Sequence, residues 1–177
     1  MSARPVGGDD AGVRLVRASL RYREAFLDMA VEFRAEGSNA YPTVEYFERY
    51  VRRHQRLARR ATREFRPMTA YWLMSDDGSA IGIGNLRHDL LSPLLARERG
   101  HIGYEIRPSA RRKGYGTMIL GLLLTEARVR GLTRVLLTCT KDNVGSRTII
   151  ERNGGTFESE VYSERLSATM LRFWIEL

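Results

Sequence analysis

Hydrophobic and polar residues follow two different periods along this chain, and each period marks a different kind of element. Strict alternation predicts half-buried strands, and apolar residues three and four positions apart predict amphipathic helices. In the first half the pattern predicts a strand at 13–18, helices at 22–34 and 43–65, and two strands at 69–74 and 80–87. The Asp-Asp-Gly sequence at 76–78 is typical of a hairpin turn, so the last two strands are expected to pair.

The second half alternates strands and helices before it closes with two further strands. The predicted elements are a strand at 101–106, a helix at 114–130, a strand at 134–140, a helix at 146–153 and a strand pair at 155–163 and 168–176. Gly131 suits the left-handed position that ends a helix. The polar residues 1–12 are expected to be a disordered lead-in, and 13–177 a single domain.

The helix predicted at 43–65 has one apolar face and one arginine face, with Thr43 as a candidate N-cap. The arginines that share about a third of the helix circumference are Arg49, Arg52, Arg53, Arg56, Arg59, Arg60 and Arg63. Two interpretations stay open: this face is a solvated exterior, or it contacts an anionic partner such as a phosphorylated metabolite, an acidic protein or an RNA. In either case a polycationic ligand is disfavoured, because like charges repel.

Composition bears on the class of protein. The 177 residues carry a formal net charge of +8, and 43% are hydrophobic and 28% charged, which is ordinary for a globular domain. No apolar run reaches the roughly 18 residues that a membrane span needs, and no signal peptide is expected at the polar start. Cys139 is the single cysteine, so an internal disulfide is excluded and a cytoplasmic location is expected. Three scattered histidines and this cysteine give no ligand-spaced metal site.

The most informative segment is the basic, glycine-bearing turn at 111–117, between the strand at 101–106 and the helix that follows. Glycines let the backbone approach an anion closely, and the first N–H groups of a helix point toward it. Arginine and lysine side chains add positive charge. The form Arg-x-x-Gly-x-Gly differs from both the P-loop and the dinucleotide-binding Gly-x-Gly-x-x-Gly. The segment therefore predicts a phosphate cradle of another type.

A second motif begins at Asn143, directly after the strand at 134–140, and continues into a short helix that ends at Gly154-Gly155. In this order the two motifs resemble the cofactor motifs of the GNAT superfamily of acetyl-CoA-dependent N-acetyltransferases. The resemblance covers roughly residues 69 to 177. The predicted order β-α-α-β-β-β-α-β-α-β-β is also similar to the fold of that superfamily.

The resemblance implies an α+β fold: an α/β/α sandwich with a mixed, mostly antiparallel central sheet and a splayed parallel strand pair that binds CoA. Acetyl-CoA would be the co-substrate. Its pantetheine arm would pair with the backbone of Ile106 and Arg107, and Asn143 and Ser146 would flank it. The pyrophosphate would contact the residues of the turn, which are Arg111, Arg112, Lys113, Gly114, Tyr115, Gly116 and Thr117.

The sequence departs from the family pattern at Ile150. Many members carry a tyrosine seven residues after the motif asparagine, where it donates a proton to the CoA thiolate, and isoleucine has no proton to donate. The surrounding segment is more similar to the branch that includes ribosomal-protein N-terminal acetyltransferases, so Ser146 is the candidate acid. The alternative is that Ser146 only caps its helix.

Glu105 is the candidate base, because it lies on the central strand one residue before the backbone expected to polarise the acetyl carbonyl. The alternative is a strand carboxylate paired with an arginine. His101, on the same face of this strand, is a weaker candidate, and His88 and Asp89 are expected to face the same mouth.

Two further residues with reactive side chains have less claim to a catalytic role. His54 lies on the apolar face of its helix, so a place in the core or in the acceptor pocket is expected. A covalent intermediate on Cys139 is disfavoured, because direct transfer needs no nucleophile.

Taken with the resemblance, these observations predict direct acetyl transfer from acetyl-CoA to a primary amine, on a small molecule or a peptide. Two alternatives stay open: a CoA-binding or nucleic-acid-associated module with weak or lost catalysis, and an aminoacyl-tRNA acetyltransferase. The apolar ending at 171–175 would also suit a homodimer formed through the C-terminal strands.

Overall fold

The structure, a computed structural model, describes residues 12–59 and 67–177. The strands are β1 (Val13–Arg17), β2 (Met68–Ser75), β3 (Ala80–Arg87), β4 (Ile102–Ile106), β5 (Arg134–Thr140), β6 (Thr156–Ser163) and β7 (Ala168–Glu176). The helices are α1 (Arg23–Ala35), α2 (Phe47–Arg59), α3 (Tyr115–Val129) and α4 (Val144–Arg152), with shorter helical turns at Leu20–Tyr22, Leu95–Arg99 and Pro108–Ala110. None of the helices in the described ranges is both long and apolar enough to cross a bilayer. The predicted lead-in, apart from Gly12, lies outside these ranges.

The strands form two antiparallel sheets that lie side by side, with the orders β1-β2-β3-β4 and β5-β7-β6. The neighbouring edges are β4 and β5, and they run parallel. His101, just before β4, bonds to Leu136 in β5, and Tyr104 lies close to Cys139 three residues further along each strand. The predicted α+β fold with a splayed parallel pair is confirmed.

Helices cover both faces of the first sheet. On one face α1 and α2 pack aromatic residues against β2, and the Phe26 and Trp72 ring centroids are 4.5 Å apart. On the other face α3 buries Leu120 and Leu123 in a cluster that continues into the second sheet through Phe173. Each face of β2 therefore belongs to a different hydrophobic cluster, because its alternate residues point to opposite sides.

The helix α2 begins at Phe47, four residues later than the sequence predicts. Thr43 lies in the preceding turn, where its C=O accepts the N–H of Tyr46 at 3.1 Å, so its predicted role as N-cap is wrong. Phe47, Val51 and Leu57 are buried against the sheet. Burial of that face leaves five arginines exposed, which are Arg49, Arg52, Arg53, Arg56 and Arg59. Arg60 and Arg63 lie outside the described residues.

The C-terminal strand β7 lies in the middle of its sheet, between β5 and β6. Leu171, Phe173 and Ile175 are buried in the core of the same chain. The apolar ending is therefore explained without a second subunit, and it gives no support to the predicted homodimer.

Candidate active site

The parallel strands β4 and β5 touch at one end and separate at the other, which leaves a cleft between the two sheets. At the closed end the N–H of His101 donates to the C=O of Leu136 at 2.7 Å. The N–H of Leu136 donates in return to Nδ1 of His101 at 2.9 Å. Gly100 has φ +62°, and a Cβ added there would lie 2.3 Å from the carbonyl oxygen of Leu136. The two strands can meet only because residue 100 has no side chain.

His101 therefore has a structural role at the closed end rather than the catalytic role considered from the sequence. Its burial, and next the charge of Arg87, lower the pKa of His101 to about 4. The ring is thus neutral near pH 7 and keeps Nδ1 as an acceptor. His88 lies at this end too, because the end of β3 pairs with the start of β4, and its Nε2 is 2.9 Å from Oγ1 of Thr69. The expectation that His88 and Asp89 face the mouth is wrong.

At the open end, β4 directs part of its backbone into the cleft. The N–H of Arg107 donates to the C=O of Ile81 in β3 at 2.9 Å. Alternate residues of an antiparallel strand turn their backbone groups to opposite sides, so Ile106 directs its N–H away from β3, into the cleft. Both backbone groups of Arg107 have partners elsewhere, since its C=O accepts the N–H of Ala110 at 3.0 Å. Of the two backbone contacts predicted for pantetheine, the geometry leaves Ile106 and removes Arg107.

The basic turn at 111–117 leads from this open end into α3. Gly114 has φ +85° and immediately precedes the helix, and Arg112 also has a positive φ of 64°. Successive N–H groups in such a turn form a concave anion site. The N–H groups of Tyr115 and Gly116 add to it, because the first N–H groups of a helix have no intrahelical acceptor. The N–H of Thr117 is bonded to the C=O of Gly114 at 3.0 Å.

Two of the charged side chains of the turn form hydrogen bonds within the protein. The guanidinium of Arg111 donates two hydrogen bonds to the Glu36 carboxylate, at 2.8 and 2.7 Å, and its Nε donates to the C=O of Ile106 at 3.1 Å. Nζ of Lys113 donates to the C=O of Ser109 at 3.0 Å. Arg111 thus fixes the turn to α1, and Arg112 has no bonded partner among residues 12–59 and 67–177.

Two glycine-turn residues also serve the packing of α3. A Cβ added at Gly116 would lie 2.5 Å from Cδ1 of Ile149, so this glycine lets α3 start against α4. Tyr115 packs its ring against the core cluster. The glycine pattern that predicts a phosphate site therefore also sets the distance between the two helices that border the cleft.

A cluster on α1 holds the segment between β4 and the turn. Nη2 of Arg107 donates to Asp28 at 2.8 Å, and its Nε donates to Glu32 at 2.8 Å. Glu32 also accepts the N–H of Ser109 at 2.8 Å. Burial opposes the ionisation of Glu32, but the hydrogen bonds from Arg107 and Ser109 outweigh it and lower the pKa of Glu32 to about 2.

The second motif starts α4 with a capped turn. Oδ1 of Asn143 accepts the N–H of Ser146 at 2.9 Å, so Asn143 is the N-cap. Ser146 is the third helical residue, and its hydroxyl is not the cap, which contradicts the alternative considered from the sequence. That hydroxyl lies instead 3.3 Å from the hydroxyl of Tyr104, which reaches across the cleft from β4.

The groups around this hydroxyl pair limit which residue can supply a proton. Ile150 is fully buried in the core cluster, so neither its chemistry nor its position suits an acid. Burial raises the pKa of the Cys139 thiol, which keeps it protonated and argues against a nucleophilic role. Ser146 and Tyr104 are the hydroxyl-bearing side chains of this group, and the protonated Cys139 thiol lies beside them.

Glu105 points to the opposite face of β4, toward α1 and α2. Its Oε2 accepts a hydrogen bond from the hydroxyl of Tyr41 at 2.6 Å, and the charge of Glu105 acts on Tyr50 of α2. The partner of this carboxylate is a tyrosine rather than the arginine considered from the sequence, and Glu105 is exposed. A water-borne proton can therefore reach it. His54 lies further along α2 with its ring 4.4 Å from that of Tyr50, and burial lowers its pKa to about 4.

The geometry of the site fits acetyl-CoA. The turn at 111–117 offers an anion cradle, and a cleft leads from it. The backbone N–H of Ile106 faces this cleft, as do the hydroxyls of Tyr104 and Ser146. Within the described ranges, no group of three metal-ligating side chains lies close enough together to hold an ion. Sequence reasoning missed Tyr104, Tyr41 and Glu32, whose partners lie 42, 64 and 75 residues away along the chain. No local pattern could indicate contacts of that range.

Comparison with known proteins agrees with this geometry. The sequence model of the acetyltransferase (GNAT) family matches residues 30–154. Among solved structures, the chain is similar to an acetyltransferase from Salmonella typhimurium that modifies the N-terminal serine of ribosomal protein L7/L12, with a TM-score of 0.70 at 18% identity over 95% of this chain and 96% of that one. It is also similar to the microcin C7 self-immunity acetyltransferase MccE, solved with acetyl-CoA and AMP, with a TM-score of 0.72 at 18% identity over 96% and 94%.

A third similar structure is RimJ from Mycobacterium smegmatis, with a TM-score of 0.71 at 17% identity over 93% of this chain and 81% of that one. At these identities the likeness to solved structures concerns the fold, and the family match covers well over half of the chain. The predicted enzyme class, and acetyl-CoA as co-substrate, are confirmed at the level of the family. The chain belongs to the acetyltransferase (GNAT) family.

Proposed function

We propose that this protein transfers the acetyl group of acetyl-CoA directly to a primary amine at the open end of the cleft. The observation that carries the proposal is that the candidate acid and the candidate base lie on opposite faces of β4. Ser146 meets Tyr104 on the face toward α4, and Glu105 lies on the face toward α1 and α2. Ile106 follows Glu105 in β4, and the anion cradle comes shortly after it along the chain, before α3.

In this mechanism the chain positions the reactants, accepts a proton from the amine and stabilises the thiolate. Glu105 accepts the proton of the amine through water, and Tyr41 holds the carboxylate in one orientation. The N–H of Ile106 polarises the acetyl carbonyl. The amine nitrogen forms the new bond to the acetyl carbon, and the electron pair of the breaking carbon–sulfur bond goes to sulfur. The hydroxyl of Ser146 donates a hydrogen bond to the resulting thiolate, which then takes a proton from water. Arg112 and the N–H groups of the turn hold the pyrophosphate.

The acceptor approaches from the side of α1 and α2, and we propose that it is anionic overall. Glu48 offsets Arg52 through an ion pair, and the exposed Arg49, Arg56 and Arg59 leave this face positive. A peptide N-terminus followed by acidic residues combines an amine with that charge. The Salmonella typhimurium neighbour acts on a protein N-terminus, which supports a peptide acceptor. A cytoplasmic location is part of this proposal, in keeping with the single cysteine.

Two other functions stay compatible with the fold. A CoA-binding or nucleic-acid-associated module would bind the co-substrate without releasing thiol. An aminoacyl-tRNA acetyltransferase would use the arginine face for the phosphate backbone, and its binding would weaken steeply with salt. Thiol release with peptides, small amines and charged tRNA as acceptors separates the three.

Glu105→Gln tests the base. We expect a loss of kcat/KM of about 100-fold near neutral pH, because the amide of the variant cannot accept the proton of the amine. The matched control is Glu126→Gln, since Glu126 also accepts a tyrosine hydroxyl, that of Tyr71 at 2.6 Å, away from the cleft. An unchanged kcat/KM in Glu105→Gln would assign the base to another group or to water.

Charge reversal tests the acceptor. Arg52→Glu combined with Arg56→Glu should raise KM for an acidic peptide about tenfold and leave KM for acetyl-CoA unchanged, because like charges then repel the peptide. The control reverses Arg128 and Arg152, which are exposed on α3 and α4. An equal effect of both pairs would mean that net charge alone matters, and that α2 does not recognise the acceptor.

A further inference from the structure

In the described part of the chain, β4 and α4 are joined by one side-chain hydrogen bond, between the hydroxyls of Tyr104 and Ser146. We propose that Tyr104 is a positioning residue: it donates a hydrogen bond to Ser146 and so directs the serine hydrogen toward the sulfur of CoA. This inference rests on the proposed role of Ser146. Tyr104 transfers no proton to the substrate. Ser146, oriented in this way, takes the place of the acid that is missing at Ile150.

The direction of the hydrogen bond follows from the chemistry of the two groups. A phenol is a stronger acid than an aliphatic hydroxyl and therefore the better donor. Burial raises the pKa of Tyr104 to about 12, so its hydrogen is present at any working pH. When Tyr104 donates, it occupies a lone pair of the serine oxygen and leaves the single hydrogen of Ser146 to another acceptor. In the free protein the neighbouring Cys139 thiol is such an acceptor, and in the complex the sulfur of CoA takes its place.

Other helical hydroxyls in this protein show what Ser146 would do without such a partner. Oγ1 of Thr148 donates to the C=O of Val144 at 2.9 Å, and Oγ1 of Thr125 donates to the C=O of Gly121 at 3.3 Å. Serine and threonine hydroxyls in helices commonly donate to the carbonyl four residues earlier. The hydroxyl hydrogen is then not available to another acceptor. For Ser146 the corresponding carbonyl, that of Asp142, already accepts the N–H of Val144 at 2.9 Å.

The phenol is also held in place. The ring of Tyr104 packs against the core cluster that includes α3 and β5, as do Ile106 and Ile149 on the two sides of the cleft. A donor fixed by its own packing can orient a serine that is only half-buried. A hydrogen bond aimed at a developing thiolate gains from such preorganisation, because no reorientation is needed when the charge forms.

Ionisation of the thiol of bound CoA tests the proposal without an acceptor and without turnover. The probe is CoA that carries an isotope label on the carbon next to sulfur, followed by NMR over a pH series in complex with each variant. We expect Tyr104→Phe to raise the pKa of the bound thiol by about one unit, a tenfold weaker stabilisation of the thiolate. In a Ser146→Ala background the same change should have no further effect, because the bond acts through the serine.

The control is Tyr71→Phe, which removes a buried phenol hydroxyl of the same core cluster at a distance from the cleft, and it should leave the thiol unchanged. Calorimetry with CoA reports whether each variant still folds and binds. An unchanged thiol in Tyr104→Phe, or the same shift with and without Ser146, would overturn the proposal. A wild-type protein that transfers no acetyl group would contradict the proposed function instead. The two failures are distinguishable, because the titration contains no acceptor and does not depend on transfer.

Discussion

The two ends of the cleft between β4 and β5 are built from opposite kinds of contact. At the closed end a glycine and a neutral histidine bring two backbones together through hydrogen bonds of 2.7 and 2.9 Å between His101 and Leu136. At the open end the strands are kept apart, and hydroxyls, a free backbone N–H and a basic turn face the gap. The closed end fixes the sheets, and the open end is available to a ligand.

This difference separates stability from function within one pair of strands: the closed end contributes to stability, and the open end to binding and catalysis. Groups at the closed end have their hydrogen bonds satisfied within the protein, so their loss should appear in the free energy of unfolding. Groups at the open end are only partly satisfied, so their loss should appear in binding or rate. Three substitutions, taken from the largest expected effect to the smallest, can break or sharpen the comparison.

Gly100→Ala should damage the closed end most. The left-handed backbone and the 2.3 Å approach of the new Cβ to the carbonyl oxygen of Leu136 both oppose a side chain. We expect the free energy of unfolding to fall by about 3 kcal/mol or more, as measured by denaturant titration. Gly103→Ala is the matched control, because its Cβ would meet only the guanidinium of Arg87 at 3.9 Å. Equal losses in the two variants would contradict the account of the closed end.

Ser146→Ala should affect the open end without affecting stability. We expect kcat to fall about 100-fold, which corresponds to about 2.7 kcal/mol of transition-state stabilisation, while KM for acetyl-CoA and the unfolding midpoint change little. Thr148→Ala, one half-turn further along α4, removes a hydroxyl that bonds only to its own helix and serves as the control. A normal rate in Ser146→Ala removes this residue from the mechanism.

Glu32→Gln should loosen the anchor that connects α1 to the open end. Because the folded pKa of about 2 lies below the ordinary 4.5, Glu32 contributes stability above pH 4.5 and loses that contribution as the pH falls toward 2. The variant should be less stable by about 1–2 kcal/mol at pH 7, and the difference from wild type should vanish between pH 4.5 and 2 in thermal unfolding. Glu36→Gln, which breaks the exposed pair with Arg111, should cost less than about 1 kcal/mol. A difference that persists at pH 2 would mean that the charge of Glu32 is not the cause.

Local patterns in the sequence predict most of the elements well, because most of them have a clear period and clear ends. The bounds of β3 and β5 agree with the prediction at every residue, since Gly78 and Gly131 supply the left-handed turns before them. The start of α2 was mispredicted, because Thr43 looks like a cap yet lies in a separate turn. Local sequence cannot tell a cap from a turn residue that precedes it.

The site was predictable only where a single segment contains it. The turn at 111–117 and the capped start of α4 are local, and the sequence indicates both. The ion pairs of Arg107 with Asp28 and Glu32 could not be predicted, because they depend on where α1 lies in space. The contact between Tyr104 and Ser146 has the same origin, since it depends on the width of the cleft.

Calorimetric titration of wild type and Gly114→Val with acetyl-CoA tests the central claim most directly, that the turn and the open end of the cleft bind this co-substrate. The account predicts single-site binding to wild type and at least about tenfold weaker binding to the variant, because valine is strained at φ +85° and would displace the N–H groups that hold the pyrophosphate. Equal affinity for the two proteins, or no binding to wild type, would contradict it.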